Sequence, residues 1–146
     1  MNDYQLKLDG SICFAIYTAG HAMNRVYKPL LDALGLTYPQ YLVMVSLWQE
    51  DGQTVGGLGE KLFLESSTLT PLLKRLEAAG YIRRDRSKVD ERVVIARLSD
   101  EGIRLKEKAA AIPNCIANAT GRDAAGLARL EAEIVALREA LNKSAV

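Results

Sequence analysis

Apolar and small side chains recur in steps of three and four over residues 11–30, at Ile12, Cys13, Ile16, Gly20, Met23, Tyr27 and Leu30. That spacing predicts one face of an amphipathic helix, with Asp9 or Ser11 as its N-cap. A second helix is expected to start near Thr37, Tyr38 and Pro39, where the proline suits the first helical position. It runs through Tyr41, Val45 and Trp48 and stops at Asp51 and Gly52. A short third helix is predicted over residues 55–63. A fourth opens at Ser66, Ser67 and Thr68, carries Leu69, Leu72, Leu73 and Leu76, and ends at Ala79, with Gly80 placed as a C′ glycine. From residue 81 the period changes. Tyr81 and Ile82 precede a charged stretch, and a β-branched run follows from Val93 to Leu98, which predicts a two-stranded hairpin with a charged tip. Ser99 is placed to cap a further helix that runs to about Ile112, where Pro113 marks a break. The last helix, roughly 123–142, repeats Leu127, Leu130, Ile134, Leu137 and Leu141 as an a/d seam, so it is expected to pack against another helix. The elements are mainly α with one small β-hairpin.

Composition narrows the function. The chain has 146 residues, 49% of them hydrophobic and 25% charged, enough for one globule with a real core. No apolar run reaches the ~20 residues of a membrane span, and the polar N-terminus lacks the pattern of a signal peptide. A cytoplasmic protein with no membrane partner is expected. Two cysteines, Cys13 and Cys115, are too few for a disulfide scaffold. In a reducing cytosol a bond between them would be transient. The single histidine, His21, excludes a histidine-built zinc site and leaves no spare base for a Ser/His triad. His21 itself reads as a surface or interface residue. The glycine-dense Gly56, Gly57 and Gly59 lack the Lys-Ser/Thr of a phosphate loop. Neither metal nor cofactor is expected, and the chain reads as a binding protein rather than an enzyme.

The formal net charge of +1 hides an asymmetry. Residues 74–97 hold eight bases (Lys74, Arg75, Arg83, Arg84, Arg86, Lys88, Arg92 and Arg97) against four acids, a net +4 that leaves −3 for the rest. A clustered basic surface of this kind either neutralises phosphates, releasing counterions, or is simply a solvated hairpin. The preceding segment favours the first. A short helix, a tight turn and a helix opening with Ser66, Ser67, Thr68 and Thr70 make a helix-turn-helix. The hydroxyls either cap the helix or reach phosphates and base edges, while the leucines are core. Pro71 falls near the first turn, where it forfeits at most one backbone hydrogen bond. A helix-turn-helix followed by a basic hairpin reads as a winged helix that binds double-stranded DNA.

The run Thr68-Leu69-Thr70-Pro71-Leu72-Leu73-Lys74-Arg75-Leu76-Glu77, followed by Gly80-Tyr81-Ile82-Arg83-Arg84, resembles the recognition helix of the MarR family. Asp90 and Arg92, with Leu98 and Ser99 after them, are similar to that family's wing motif. The resemblance implies a single MarR-type domain over 1–146. Its winged helix-turn-helix part covers about 53–99, and it dimerises through helices at about 9–33 and 101–142. It also implies a homodimer on a pseudo-palindromic operator, with the recognition helix in the major groove and Arg92 in the minor groove. Ser66, Ser67, Thr68, Thr70, Pro71, Lys74, Arg75, Arg84, Arg86, Lys88, Asp90 and Arg92 are the expected DNA-binding residues.

Cys13, near the start of the first helix, sits where the helix dipole favours a thiolate. Taken by itself it is more often a small buried hydrophobe. Ile12-Cys13-Phe14-Ala15-Ile16-Tyr17, then Tyr27-Lys28-Pro29-Leu30-Leu31, then Leu36-Thr37-Tyr38-Pro39-Gln40-Tyr41, resemble the organic hydroperoxide resistance regulators within that family. The resemblance implies a sensor cysteine, Cys13, hydrogen-bonded by the hydroxyls of Tyr27 and Tyr38, and it places Cys115 as a resolving cysteine, with an organic hydroperoxide as inducer. Cys13 and Tyr27 lie 14 residues apart on one helix. That is about 21 Å along its axis, so a bond between them requires an antiparallel second copy of the helix. The alternative is that Tyr27 is a core or interface aromatic. Two other functions compete with this reading: a MarR-type regulator responding to a small aromatic ligand, and a thiol peroxidase in which Cys13 turns over. Tyr41 and Trp48 read as core.

Overall fold

The computed structural model describes residues 6–145. The element order is α1 (Ile12–Asp32), α2 (Tyr38–Gln49), β1 (Gln53–Thr54), α3 (Val55–Leu62), α4 (Ser66–Ala78), β2 (Ile82–Arg86), β3 (Val94–Leu98), α5 (Asp100–Ala109), α6 (Ile112–Ala119) and α7 (Ala124–Ser144). They form two compact units divided between Ala110 and Ala111.

In the first unit, local chemistry sets the helix ends. Ser11 caps α1, its hydroxyl accepting from the Phe14 amide at 3.3 Å. α1 closes with the Leu36 amide donating to the Leu31 carbonyl around Gly35, whose φ of 71° is the left-handed turn that glycine adopts without strain. Thr37 and Gln40 exchange a capping box at the start of α2, with Pro39 in the first turn. α2 is the hub of the core: Tyr41, Val43, Met44 and Leu47 are all buried, and burial on several faces marks a helix enclosed by its neighbours. Leu58 of α3 and Leu69, Leu73 and Leu76 of α4 complete that core. Trp48 Nε1 donates to the Gly102 carbonyl at 2.9 Å, tying α2 to α5.

The sheet has three antiparallel strands in the order β1-β3-β2, where the sequence predicts two. β2 and β3 form the expected hairpin, with Arg84 opposite Ala96 and Arg86 opposite Val94. The additional strand, Gln53 opposite Ala96 and Thr54 opposite Ile95, is only two polar residues long, too short to carry an alternating signature. It is held from behind by the buried Gln53 amide, which donates to the Ser46 carbonyl (3.0 Å) and hydroxyl (3.1 Å) and to the Glu50 carbonyl (2.7 Å).

α1 stands apart from that core. Leu31 is its one buried residue, while Ile12, Phe14, Ile16, Met23 and Val26 are exposed. The second unit holds α6 and α7. α6 corrects the sequence expectation: the helix begun at Ser99 stops at Ala109, and a new one starts at Ile112 with Pro113 in its first turn. Proline suits a helix start as well as a helix break, so sequence alone could not separate the two. α7 is capped by Asp123, whose carboxylate accepts from the Gly126 amide at 2.7 Å. None of its residues is buried, and Ile134 and Leu141 of its a/d seam are exposed.

Candidate nucleic-acid interface and redox site

The leucines of α4 decide what its other face presents. Leu69, Leu72, Leu73 and Leu76 are buried at helical spacing, which turns Ser67, Pro71 and Lys74 outward. The turn before it is tight. The Leu64 amide donates to the Gly59 carbonyl at 3.0 Å, and a Cβ on Gly59 would stand 2.8 Å from the Leu64 carbonyl. Phe63 takes the left-handed conformation at φ 56° to complete the turn.

Glu65 is the N-cap of α4 and makes no side-chain cap bond. The hydroxyls of Ser66, Ser67, Thr68 and Thr70 therefore do not cap the helix, and Ser66, Ser67 and Thr68 are exposed, their hydroxyls making no hydrogen bond among the described residues. Pro71 lies farther in than the sequence reading placed it. As the sixth helical residue it supplies no amide for the Ser67 carbonyl, which adds an outward-facing acceptor. Lys74, Arg75 and Lys88 are exposed and form no ion pair among the described residues.

The hairpin tip is fixed by its own side chains. The Ser87 hydroxyl accepts from the Val89 and Asp90 amides, and Arg86 Nη1 donates to the Glu91 carbonyl at 2.9 Å. Asp90 accepts from the Arg92 amide (3.1 Å), from its Nε (3.2 Å) and from its Nη2 (3.3 Å). These bonds from the Arg92 side chain and backbone hold the Asp90 carboxyl below its usual range. Arg92 remains 91% exposed, so Asp90 orients it without hiding it. Arg84 differs: its side chain is only 23% exposed and is paired with Glu77. The outer face of α4 and the hairpin thus each present exposed polar and basic side chains.

The two cysteines are free and exposed, Cys13 on the first turn of α1 and Cys115 on α6. Cys13 is therefore outside the core of the single copy. Tyr27 and Tyr38 meet, their ring centroids 4.8 Å apart, because the Leu31, Leu34 and Leu36 turn folds the end of α1 onto the start of α2. Tyr41, read from sequence as core only, joins them at 5.8 Å from Tyr27. Its place one helical turn after Tyr38 was the available signal. Tyr27 and Tyr38 border an open cleft of about 410 Å³ that also includes Asn24, Leu31 and Thr37. Burial, and then the neighbouring phenols of Tyr38 and Tyr41, push the Tyr27 hydroxyl up to about 12. Burial also raises Tyr38 and Tyr41. Hydroxyls that hold their protons this firmly are hydrogen-bond donors at any physiological pH. No hydroxyl of the three has a partner among the described residues, so the cluster offers unfilled donors that fit an anion such as a thiolate.

The pKa shift has a testable sign. Because the folded value lies above the unfolded one, the cluster's contribution to stability is complete below about pH 10 and is lost as pH rises through about 12. A spectroscopic titration is expected to show a late-ionising tyrosine fraction that shrinks in Tyr27→Phe. Simultaneous ionisation of all phenols at the ordinary value would contradict the cluster.

Fold and surface together define a winged-helix transcriptional regulator. A family model described as transcriptional regulator SarA/Rot matches residues 25–109. The chain is 44% identical over 138 residues to the organic hydroperoxide resistance transcriptional regulator of Bacillus subtilis, covering 94% of each protein. It is also similar to the structure of reduced AbfR bound to DNA, a Staphylococcus epidermidis protein (32% identity, all of both chains, TM-score 0.85). The disulfide form of AbfR matches at 36% identity over 86% of this chain and 88% of that one, with a TM-score of 0.66. The chain belongs to the MarR-type winged-helix regulators, in the group of the organic hydroperoxide resistance regulators, and these relatives are regulators rather than enzymes. Among the described residues, no helix is long and apolar enough to cross a membrane.

Proposed function

We propose that the protein is a cytoplasmic homodimeric repressor that binds operator DNA and releases it when an organic hydroperoxide oxidises Cys13. The observation that carries this reading is the 44% identity, along nearly the whole chain, to a regulator named for organic hydroperoxide resistance. The exposed thiol and the three phenols supply matching chemistry. The Cys13 thiolate attacks the distal oxygen of the hydroperoxide; an S–O bond forms, the O–O bond breaks, and the departing alkoxide takes a proton to become the alcohol. The cysteine is now a sulfenic acid, oxidised by two electrons. Attack by the Cys115 thiol of the second copy then forms a disulfide and expels water. Phe14 and Ile16, within a turn of Cys13 on α1, favour an organic hydroperoxide over hydrogen peroxide.

Two copies present two recognition helices to successive major-groove segments, with the wings flanking them. Oxidation that re-spaces those helices needs to cost only about 2.7 kcal/mol of differential affinity to lower DNA affinity a hundredfold. The Arg92→Ala variant is expected to bind DNA about tenfold more weakly and to reduce the salt slope by about one phosphate. Unchanged affinity and slope would remove Arg92 from the interface.

The direct test is DNA binding by the purified protein as tert-butyl hydroperoxide is added. Release complete at about one equivalent per subunit supports a stoichiometric switch. Continued peroxide consumption without DNA release indicates a peroxidase. Binding that ignores peroxide transfers the sensing role to a small-molecule ligand.

A further inference from the structure

We propose that Glu77 and Arg84 are a positioning pair that fixes the wing against the recognition helix, so that Arg84 serves DNA binding through geometry rather than by touching the nucleic acid. This rests on the DNA-binding reading above and revises the place of Arg84 among the expected contacts.

Glu77 sits in the last turn of α4 and Arg84 in the middle of β2, opposite Ala96. Both carboxylate oxygens are used on this one residue: Oε2 accepts from the Arg84 backbone amide at 2.9 Å, and Oε1 from Arg84 Nη2 at 3.2 Å. One bond therefore fixes the strand and the other its side chain. Among the described residues this is the only ion pair between α4 and the sheet. Arg84 Nε is buried without a hydrogen-bond partner, so the guanidinium is turned into the protein. Lys74, Arg75 and Arg92 are exposed instead. Thr70 and Arg92 border the same groove as Arg84, which puts the pair between the face of α4 and the tip of the wing.

The need for such a tie follows from the connection. α4 passes to β2 through Gly80, at φ 87°, with the Tyr81 amide donating to the Leu76 carbonyl. On its far side the hairpin is held by β1, which pairs with β3 at Ala96 and Ile95, so the near strand β2 is the one left to be tied to α4. The Glu77 bonds lie beyond the turn and set the angle. Hydrogen bonds from the Arg84 side chain and backbone hold the Glu77 carboxyl below its usual range, so the pair is ionised at neutral pH. A duplex read by α4 in one groove and by the wing in the next requires both in register.

The test is a double-mutant cycle on a duplex that the wild-type protein selects from a random-sequence library. Glu77→Ala and Arg84→Ala are each expected to lose about tenfold in affinity, with the double variant no weaker than either. The salt slope should fall by the same amount in both variants, because the loss comes from the wing's phosphate contacts and not from the charge of Arg84 itself. In hydroxyl-radical footprints of both variants, the protection given by the wing should fade while that given by α4 remains. Glu77→Gln, which keeps one acceptor and the shape, is expected to fall between Glu77→Ala and wild type, and circular dichroism of each variant separates loss of fold from loss of register. Additive losses, a slope reduced in Arg84→Ala but not in Glu77→Ala, or wild-type binding by both Glu77 variants would overturn the proposal. A wild-type protein that selects no duplex would defeat the DNA-binding reading itself, and this inference with it.

Discussion

Cys13→Ser is expected to bind DNA within about twofold of wild type and to keep that affinity in organic hydroperoxide, where wild type weakens about a hundredfold. The first half follows from exposure: Cys13 is exposed on the first turn of α1, and an isosteric change at such a site shifts stability by no more than about 0.5 kcal/mol. The second half follows from the nucleophile. A serine hydroxyl does not ionise near neutral pH and cannot become a sulfenic acid, so neither the S–O bond nor the later disulfide forms. Fluorescence anisotropy of labelled DNA across a peroxide titration checks both halves. Release of DNA by the serine variant would place the oxidised group elsewhere, with Cys115 and the exposed Met23 the first to inspect.

The second large effect is expected at Met23. In one copy it is 41% exposed, on a helix face with Ile12, Ile16 and Val26, all of them exposed too. Each such side chain is worth roughly 1.5–3 kcal/mol when fully buried, so an open face of four is a strong drive toward association. In a two-fold dimer every substitution occurs twice. Met23→Asp places two carboxylates in or beside a desolvated contact, at a cost of several kcal/mol. Light scattering is expected to report monomer at micromolar concentration. DNA affinity should fall more than a hundredfold, because one copy engages only one half-site. Far-ultraviolet circular dichroism should retain its helical signal, since Met23 contributes nothing to the core around α2. A dimer with undiminished DNA binding would show that α1 is not the association surface.

How far the sequence carries these conclusions varies by element. Helices with strong local signals were readable: Ser11, Ser99 and Asp123 stand at their starts, the first two as expected caps, and Leu69, Leu72, Leu73 and Leu76 point inward as their spacing requires. β1 was not readable, because two residues carry no period and its anchor is a glutamine reaching back to α2. α6 was hidden by a proline that serves two opposite purposes. At the interface, residue types identified the basic surface, but not which base is committed to an internal partner. Arg84 and Arg92 look alike in the sequence; one is held by Glu77 on another element, the other lies open beside Asp90. The tyrosines follow the same rule. Their order along the chain matched the family, whereas the meeting of Tyr27, Tyr38 and Tyr41 depends on how α1 folds onto α2.

The central claim is that the sensor combines Cys13 of one copy with the partner's Tyr27, and subunit mixing tests it most directly. Tyr27→Phe homodimers retain the thiol but lack one donor, and Cys13→Ser homodimers retain the donor but lack the thiol. In a mixed dimer the remaining Cys13 faces an intact partner tyrosine. Rapid-quench labelling of the Cys13 sulfenic acid is predicted to show a fast phase, absent from either homodimer, in about half of the thiols after random exchange of equal amounts. Exchange verified by mass spectrometry with no fast phase would contradict the shared site and leave Tyr27 as an aromatic of the α1–α2 packing alone.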